Sequence, residues 1–121
     1  MATRYTDNSD SHLHFLITDP CWDGASQVVH ANFTSLKSWT ADKSCIIEPQ
    51  EHPLITRRSV IAFQQSMVVD VSKLMEAEAR CFISRKEPLS EELYEDILDA
   101  FSHSNHVPIR IKEMLRLQGL L

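Results

Sequence analysis

Short apolar runs separated by polar, turn-rich stretches fill the first two thirds of the chain, and a helical period takes over at the end. His12-Leu13-His14-Phe15-Leu16-Ile17-Thr18 begins in polar–apolar alternation and continues apolar, which predicts a strand. Asp19-Pro20 stops it, and Asp23-Gly24 supplies a turn before a second predicted strand over residues 27–34. These two strands are expected to form a hairpin with a long loop. Residues 35–43 are polar and loop-like apart from Trp39. Cys45-Ile46-Ile47 reads as a short strand closed by Glu48-Pro49, and Gln50-Glu51-His52-Pro53 as a turn in which the proline biases His52 to an extended backbone. Further strands are expected over 59–63 and 67–71, a short helix over 73–79, and a last strand over 81–84.

The end of the chain carries the clearest helical signals. Ser90 is placed to cap a helix, and the acids after it suit the positive end of the helix dipole. Leu93, Ile97, Leu98 and Phe101 share one face. The pattern breaks over 102–107, and Pro108 then sits well in the first turn of a second helix. Ile109, Ile111, Met114, Leu115 and Leu117 supply its apolar side, and Gly119 ends it. The expected class is therefore α+β: a small, strongly curved antiparallel sheet or SH3-like barrel, followed by a C-terminal helical hairpin. Residues 1–11 are polar and read as a flexible N-terminal segment, with a single domain over 12–121, strand-rich over 12–85 and helical over 89–119.

A chain of 121 residues is long enough for one domain with its own core. Composition adds two constraints. The formal net charge of −5 argues against broad, sequence-independent nucleic-acid binding, although it leaves room for a local basic site. Much of the acid lies in one late stretch, Glu87, Glu91, Glu92, Glu95, Asp96 and Asp99, which reads as a solvated helix face or a surface for a basic partner. Three widely spaced cysteines, Cys21, Cys45 and Cys81, form neither a disulfide framework nor a zinc knuckle, and point to thiols in a reducing compartment. With no signal-peptide core at the start and no membrane-length apolar run, the expected location is cytoplasmic.

Candidate chemistry concentrates between Asn32 and Ser59. A histidine used as acid or base needs a neighbour to orient it. Asp42 is a better partner for His52 than Glu51, because adjacent residues on an extended backbone face opposite ways. The other reading of His52-Pro53 is a turn whose ring makes a local hydrogen bond. Arg57-Arg58 offers a forked contact to phosphate or simply a solvated pair. Cys45, heading an apolar strand, reads as a buried structural thiol. His12 and His14, two apart on a strand, have a spacing that can hold a metal or face solvent, and a metal-dependent hydrolase using them with His52 is the weakest reading, with no carboxylate–histidine motif behind it. No metal or cofactor is expected. Trp22 and Trp39 are loop aromatics suited to a lid, a partner anchor or a base-stacking platform. His103 and His106 read as polar loop residues.

The order of short pieces resembles a known family. His14-Phe15-Leu16-Ile17-Thr18-Asp19-Pro20, a valine-rich strand ending Asn32-Phe33-Thr34-Ser35, then Asp42-Lys43-Ser44-Cys45-Ile46-Ile47, Glu51-His52-Pro53-Leu54-Ile55 and Ser59-Val60 look like the MazF/PemK-like toxins of bacterial toxin–antitoxin systems. The resemblance runs over roughly residues 12–117 and departs from the family in lacking the Arg-Gly pair before the first strand and the Arg-Pro pair after it. It implies an SH3-like barrel, a homodimer, an antitoxin partner, and metal-independent endoribonuclease cleavage of single-stranded RNA. Under it, His52 is acid or base, Arg57 or Arg58 clamps the phosphate, Asp42 orients His52, and Thr34, Ser35 and Trp39 bind substrate. The alternative is a non-catalytic interaction or regulatory module of the same fold.

Overall fold

The computed structural model describes residues 4–7, 13–18, 27–40 and 42–121, with the backbone alone for 4–7 and 85. The elements run β1 (Arg4–Asp7), β2 (Leu13–Leu16), β3 (Gln27–Ser35), β4 (Ile46–Ile47), β5 (Ser59–Ile61), β6 (Met67–Asp70), α1 (Val71–Ala79), β7 (Ile83–Arg85), α2 (Glu91–His103) and α3 (Ile109–Leu117). Single 3-10 turns at Pro49–Glu51 and Phe63–Gln65 complete the order. All strand pairs are antiparallel, in the order β4-β5-β3-β2-β1-β7. No pairing joins β4 to β7 among the described residues, so the sheet stays open rather than closing into a barrel.

The nine-residue β3 is the hub. One edge pairs with β2, and the other is shared between β6, opposite Gln27–His30, and β5, opposite Phe33–Ser35. Its residues alternate strictly between the two faces of the sheet. Val29, Ala31 and Phe33 join Leu13, Phe15 and Ile17 of the β2 segment in the main core. That core is closed by Leu93, Ile97 and Phe101 of α2 and by Ile111 and Leu115 of α3. Phe15 stacks on Phe33, with ring centres 4.6 Å apart, and Phe63 meets Phe101 edge to face at 4.9 Å, which joins sheet to helix. On the opposite face Val28 and Leu16 sit under Val71, Leu74, Val69 and Ile83, so α1 covers that side.

The helix signals act as expected. The Ser90 hydroxyl accepts the Leu93 N–H at 3.1 Å, Glu91 and Glu92 occupy the first turn, and Gly119 adopts φ +75° just beyond α3, where a residue without Cβ is favoured. Three expectations change. The N-terminal segment contributes β1, because its backbone completes hydrogen bonding between β2 and β7. The break after Phe101 comes two residues later, at His103. Ile109 and Leu117 of α3 are exposed, while Ile111 and Leu115 are buried in the core and Met114 packs half-buried against it. The expected Asp23-Gly24 turn, and also His12, Cys21 and Trp22, lie outside the described residues. Among the described residues, no helix is long and apolar enough to cross a membrane.

Candidate functional site

The C-terminal end of β3 opens a cleft of about 340 Å3, within the size range of small-ligand sites. Asn32, Thr34 and Ser35 of β3 form one wall, and Ile61, Ala62, Gln64 and Gln65 form another. Lys37, Trp39, Thr40 and Asp42 of the β3–β4 loop complete it. The loop is shaped locally. The Thr40 hydroxyl accepts the Lys37 N–H at 2.8 Å, and the Lys37 carbonyl accepts the Thr40 N–H at 3.1 Å, which closes a turn with Ser38 and Trp39 at its tip. Trp39 is consequently 79% exposed, an unusual state for so large an apolar ring.

Asn32 lies at the other extreme, 6% exposed while lining the cleft. Its Nδ2 donates to the Phe33 carbonyl at 3.2 Å, which fixes the amide orientation and leaves Oδ1 without a hydrogen bond among the described residues. The Gln64 and Gln65 amides and the Thr34 and Ser35 hydroxyls likewise make no side-chain hydrogen bond within the described chain. Gln64 and Gln65 are exposed and Thr34 and Ser35 half-buried, so these groups are open to solvent, and a concave surface carrying several donors and acceptors is suited to a polar ligand.

Asp42, the innermost acid of this loop, does not reach His52. Its Oδ2 accepts from the Ser104 hydroxyl and from His106 Nδ1 at 2.9 Å, and its Oδ1 accepts the Ser44 N–H at 2.9 Å and the Ser44 hydroxyl. The His106 N–H donates to Ser104 Oγ at 3.1 Å. Burial opposes the charge on Asp42, but the bonds from Ser104, Ser44 and His106 outweigh it and hold the carboxyl down at about 2. Asp42 thus fastens the β3–β4 loop to the loop between α2 and α3, and it leaves an ionised carboxylate at the cleft with an imidazole attached.

His52 sits apart from both. The 3-10 turn before it is closed by a reciprocal pair, Glu48 N–H to Glu51 Oε2 at 2.8 Å and Glu51 N–H to the Glu48 carbonyl at 3.0 Å. The chain then turns His52 inward, 3% exposed, on the extended backbone expected before a proline. Its Nδ1 accepts the Leu54 N–H at 3.0 Å and its Nε2 donates to the Glu87 carbonyl at 3.2 Å. Both ring nitrogens therefore hold backbone, and the ring ties this turn to the segment before α2.

The arginine pair divides. Arg58 pairs with Glu48 at 2.8 Å on the surface. Arg57 makes no ion pair among the described residues and lines a second cleft of about 400 Å3 with Thr34, Ser35, Thr56 and Ser59 over an apolar wall that includes Phe33 and Ile55. The expected site residues thus converge in part. Thr34, Ser35, Trp39 and Asp42 share one cleft, Thr34, Ser35 and Arg57 share the other, and His52 and Arg58 line neither.

Cys45 is a buried structural thiol: burial, reinforced by Asp96 and other nearby carboxylates, pushes it up to about 11, so it stays protonated near neutrality. His14 makes a ring–ring contact with His30, Nδ1 to Nε2 at 2.8 Å, and no group of three or more metal-ligating side chains occurs among the described residues. Sequence reasoning missed Asn32, Gln64 and Gln65 as cleft residues and His106 as the partner of Asp42. The period of β3 places Asn32 on the face opposite Ala31 and Phe33, with His30 and Thr34, whereas nothing local announces the Asp42–His106 pairing across 64 positions. No protein-family model, curated protein or solved structure matches the chain.

Proposed function

We propose that this protein engages single-stranded RNA, with one unpaired base entering the cleft beside Trp39. The observation that carries this reading is the convergence of an exposed indole with solvent-accessible amides and hydroxyls on one concave surface. An aromatic ring gives any base a stacking platform, and amides and hydroxyls read its edge. Lys37 in this cleft and Arg57 in the adjoining one supply local positive charge on a chain of net charge −5. Affinity in such a site depends more on stacking and hydrogen bonds than on counterion release, so its salt dependence should be shallow.

The toxin-like endoribonuclease, with its terminal helical hairpin, homodimer and antitoxin partner, belongs to the same proposal. Cleavage without metal requires the ribose 2′-hydroxyl to lose its proton and attack the adjacent phosphorus, while the 5′-oxygen leaves and takes a proton. His52, with both nitrogens on backbone groups, is poorly suited to that transfer. His106, held at Nδ1 by Asp42 and half-exposed, is the better acid–base group. The second reading, RNA binding without cleavage, is favoured by the commitment of His52 and Arg58 to structural contacts.

The test is a labelled single-stranded RNA mixed with the protein in chelator. Binding that weakens about tenfold or more in Trp39→Ala supports the proposal, in line with one stacked base. Products ending in a 2′,3′-cyclic phosphate support the endoribonuclease, and intact bound RNA supports the non-catalytic module. Binding by Trp39→Ala equal to that of the parent would sink the cleft assignment.

A further inference from the structure

We infer that Lys37 and Arg57 together hold one phosphodiester at the end of the β3–β5 ribbon, so that bound RNA passes there from one cleft into the other, with a nucleotide on either side of Thr34 and Ser35. The inference rests on the RNA-binding reading and adds the path of the RNA backbone.

The ladder places the two cations. β3 and β5 pair Phe33 with Ile61, Thr34 with Val60 and Ser35 with Ser59, and the Leu36 N–H extends the pairing by donating to the Arg58 carbonyl at 3.0 Å. Lys37 and Arg57 come immediately after that rung, one on each chain, so the antiparallel register sets them opposite each other. Local bonds fix both backbones: the Lys37 N–H donates to the Thr40 hydroxyl at 2.8 Å, and the Arg57 carbonyl accepts the Ser59 hydroxyl at 2.9 Å. Neither side chain makes an ion pair among the described residues. The acids nearby are engaged elsewhere. Glu48 holds Arg58 at 2.8 Å, and the Asp42 carboxylate accepts from Ser44, Ser104 and His106. No carboxylate lines the Arg57 cleft. Lys37 lines the Trp39 cleft, Arg57 lines the adjoining one, and the Thr34 and Ser35 hydroxyls line both. An anion at the ribbon end therefore meets one cation from each cleft. A phosphodiester carries one charge over two unbridged oxygens, one for the ammonium and one for the guanidinium. Both side chains are long and exposed, and attraction between charges does not depend on a single rotamer. Beyond Arg57, Leu54 and Ile55 offer the following nucleoside an apolar wall.

The experiment follows binding of a short labelled single-stranded RNA by fluorescence anisotropy over a series of salt concentrations. Lys37→Gln and Arg57→Gln combined should flatten the slope of log affinity against log salt by about 0.7, the weight of one phosphate on a single strand. Arg58→Gln should leave the slope as it is. Twice that flattening in the double variant means two separate phosphates and overturns the inference, as does an unchanged slope or an equal effect of Arg58→Gln. A scan of oligonucleotides, each with one uncharged methylphosphonate linkage after a deoxynucleotide, gives a second measurement on the unaltered protein. One linkage should cost about tenfold in affinity and the others little. In Arg57→Gln that linkage should no longer stand out. An even cost along the strand overturns the inference and leaves RNA binding standing. Absence of binding to every oligonucleotide overturns both.

Discussion

The Asn32–Trp39 cleft and the His52 turn come from neighbouring stretches of one chain, and both are rich in groups that do chemistry in other proteins. Their polar atoms end in opposite conditions. Around His52 each ring nitrogen has a backbone partner, and the ring is nearly sealed from water. Around Asn32 an acceptor, two glutamine amides and two hydroxyls face a cavity with no partner among the described residues. A satisfied polar group stabilises a fold, whereas an unsatisfied one at a concave surface is available to a ligand. Residue type drew attention to His52, but hydrogen-bond satisfaction moves it to the cleft.

The comparison can be broken most directly at His52. Replacing it with Ala removes a buried ring and orphans the Leu54 N–H and the Glu87 carbonyl. Unfolding free energy should fall by about 2–4 kcal/mol, measured by urea denaturation. RNA affinity of the folded fraction should be unchanged, and a His52→Ala protein of full stability that no longer binds or cuts RNA would reverse the assignment of roles.

Asp42 gives the next largest effect because it belongs to both regions, lining the cleft and fastening two loops. Asp42→Ala should cost about 1–3 kcal/mol. The sign of the pH dependence follows from its depressed titration. With a folded value near 2 and an ordinary value of 3.8, the folded state holds fewer protons than the unfolded state between these limits. The Asp42 contribution is therefore complete above about pH 4 and is lost as pH falls toward 2. Thermal melts of Asp42→Asn should show a shallower loss of stability over that window than the parent.

These residues also mark how far the chain's own pattern carries. β3 was legible because its alternation is strict, and α2 because Ser90 and the acids after it announce a start. β1 was not, since Arg4-Tyr5-Thr6-Asp7 has no apolar face and owes its form to the strands on either side. Ile109 and Leu117 matched the helical period, yet the seat of α3 buries Ile111 and Leu115, sets Met114 half-buried beside them and leaves Ile109 and Leu117 exposed. The grouping of Thr34, Ser35 and Trp39 in one cleft was legible because all three lie at or just beyond the end of one strand. The expected Asp42–His52 contact is not formed, because pairings such as His52–Glu87 and Asp42–His106 are decided by tertiary approach. Gln64 and Gln65 looked like a connector between strands and acquire meaning only once the 3-10 turn brings them over Asn32.

The smallest effect sharpens the contrast from the arginine side. Arg58–Glu48 is a solvent-facing pair, so Arg58→Ala should change stability by less than about 1 kcal/mol, and less still at high salt. RNA affinity should hardly move. The same substitution at Arg57, beside Thr34 and Ser35, should weaken RNA binding measurably in low-salt titrations.

The two-sided alternation of β3 also constrains how this molecule can diverge. Phe33 belongs to the core and Asn32 to the cleft because they are neighbours on a strand of period two. One residue inserted or deleted between Val29 and Phe33 would exchange the two sets, sending an amide into the oil and a phenyl ring into the pocket. Homologous chains that keep the fold should therefore vary this strand by replacement in place. Changes of length should accumulate in the turn between Leu36 and Thr40, ahead of the Asp42 fastening, where the specificity of the cleft can drift without disturbing what holds the protein together.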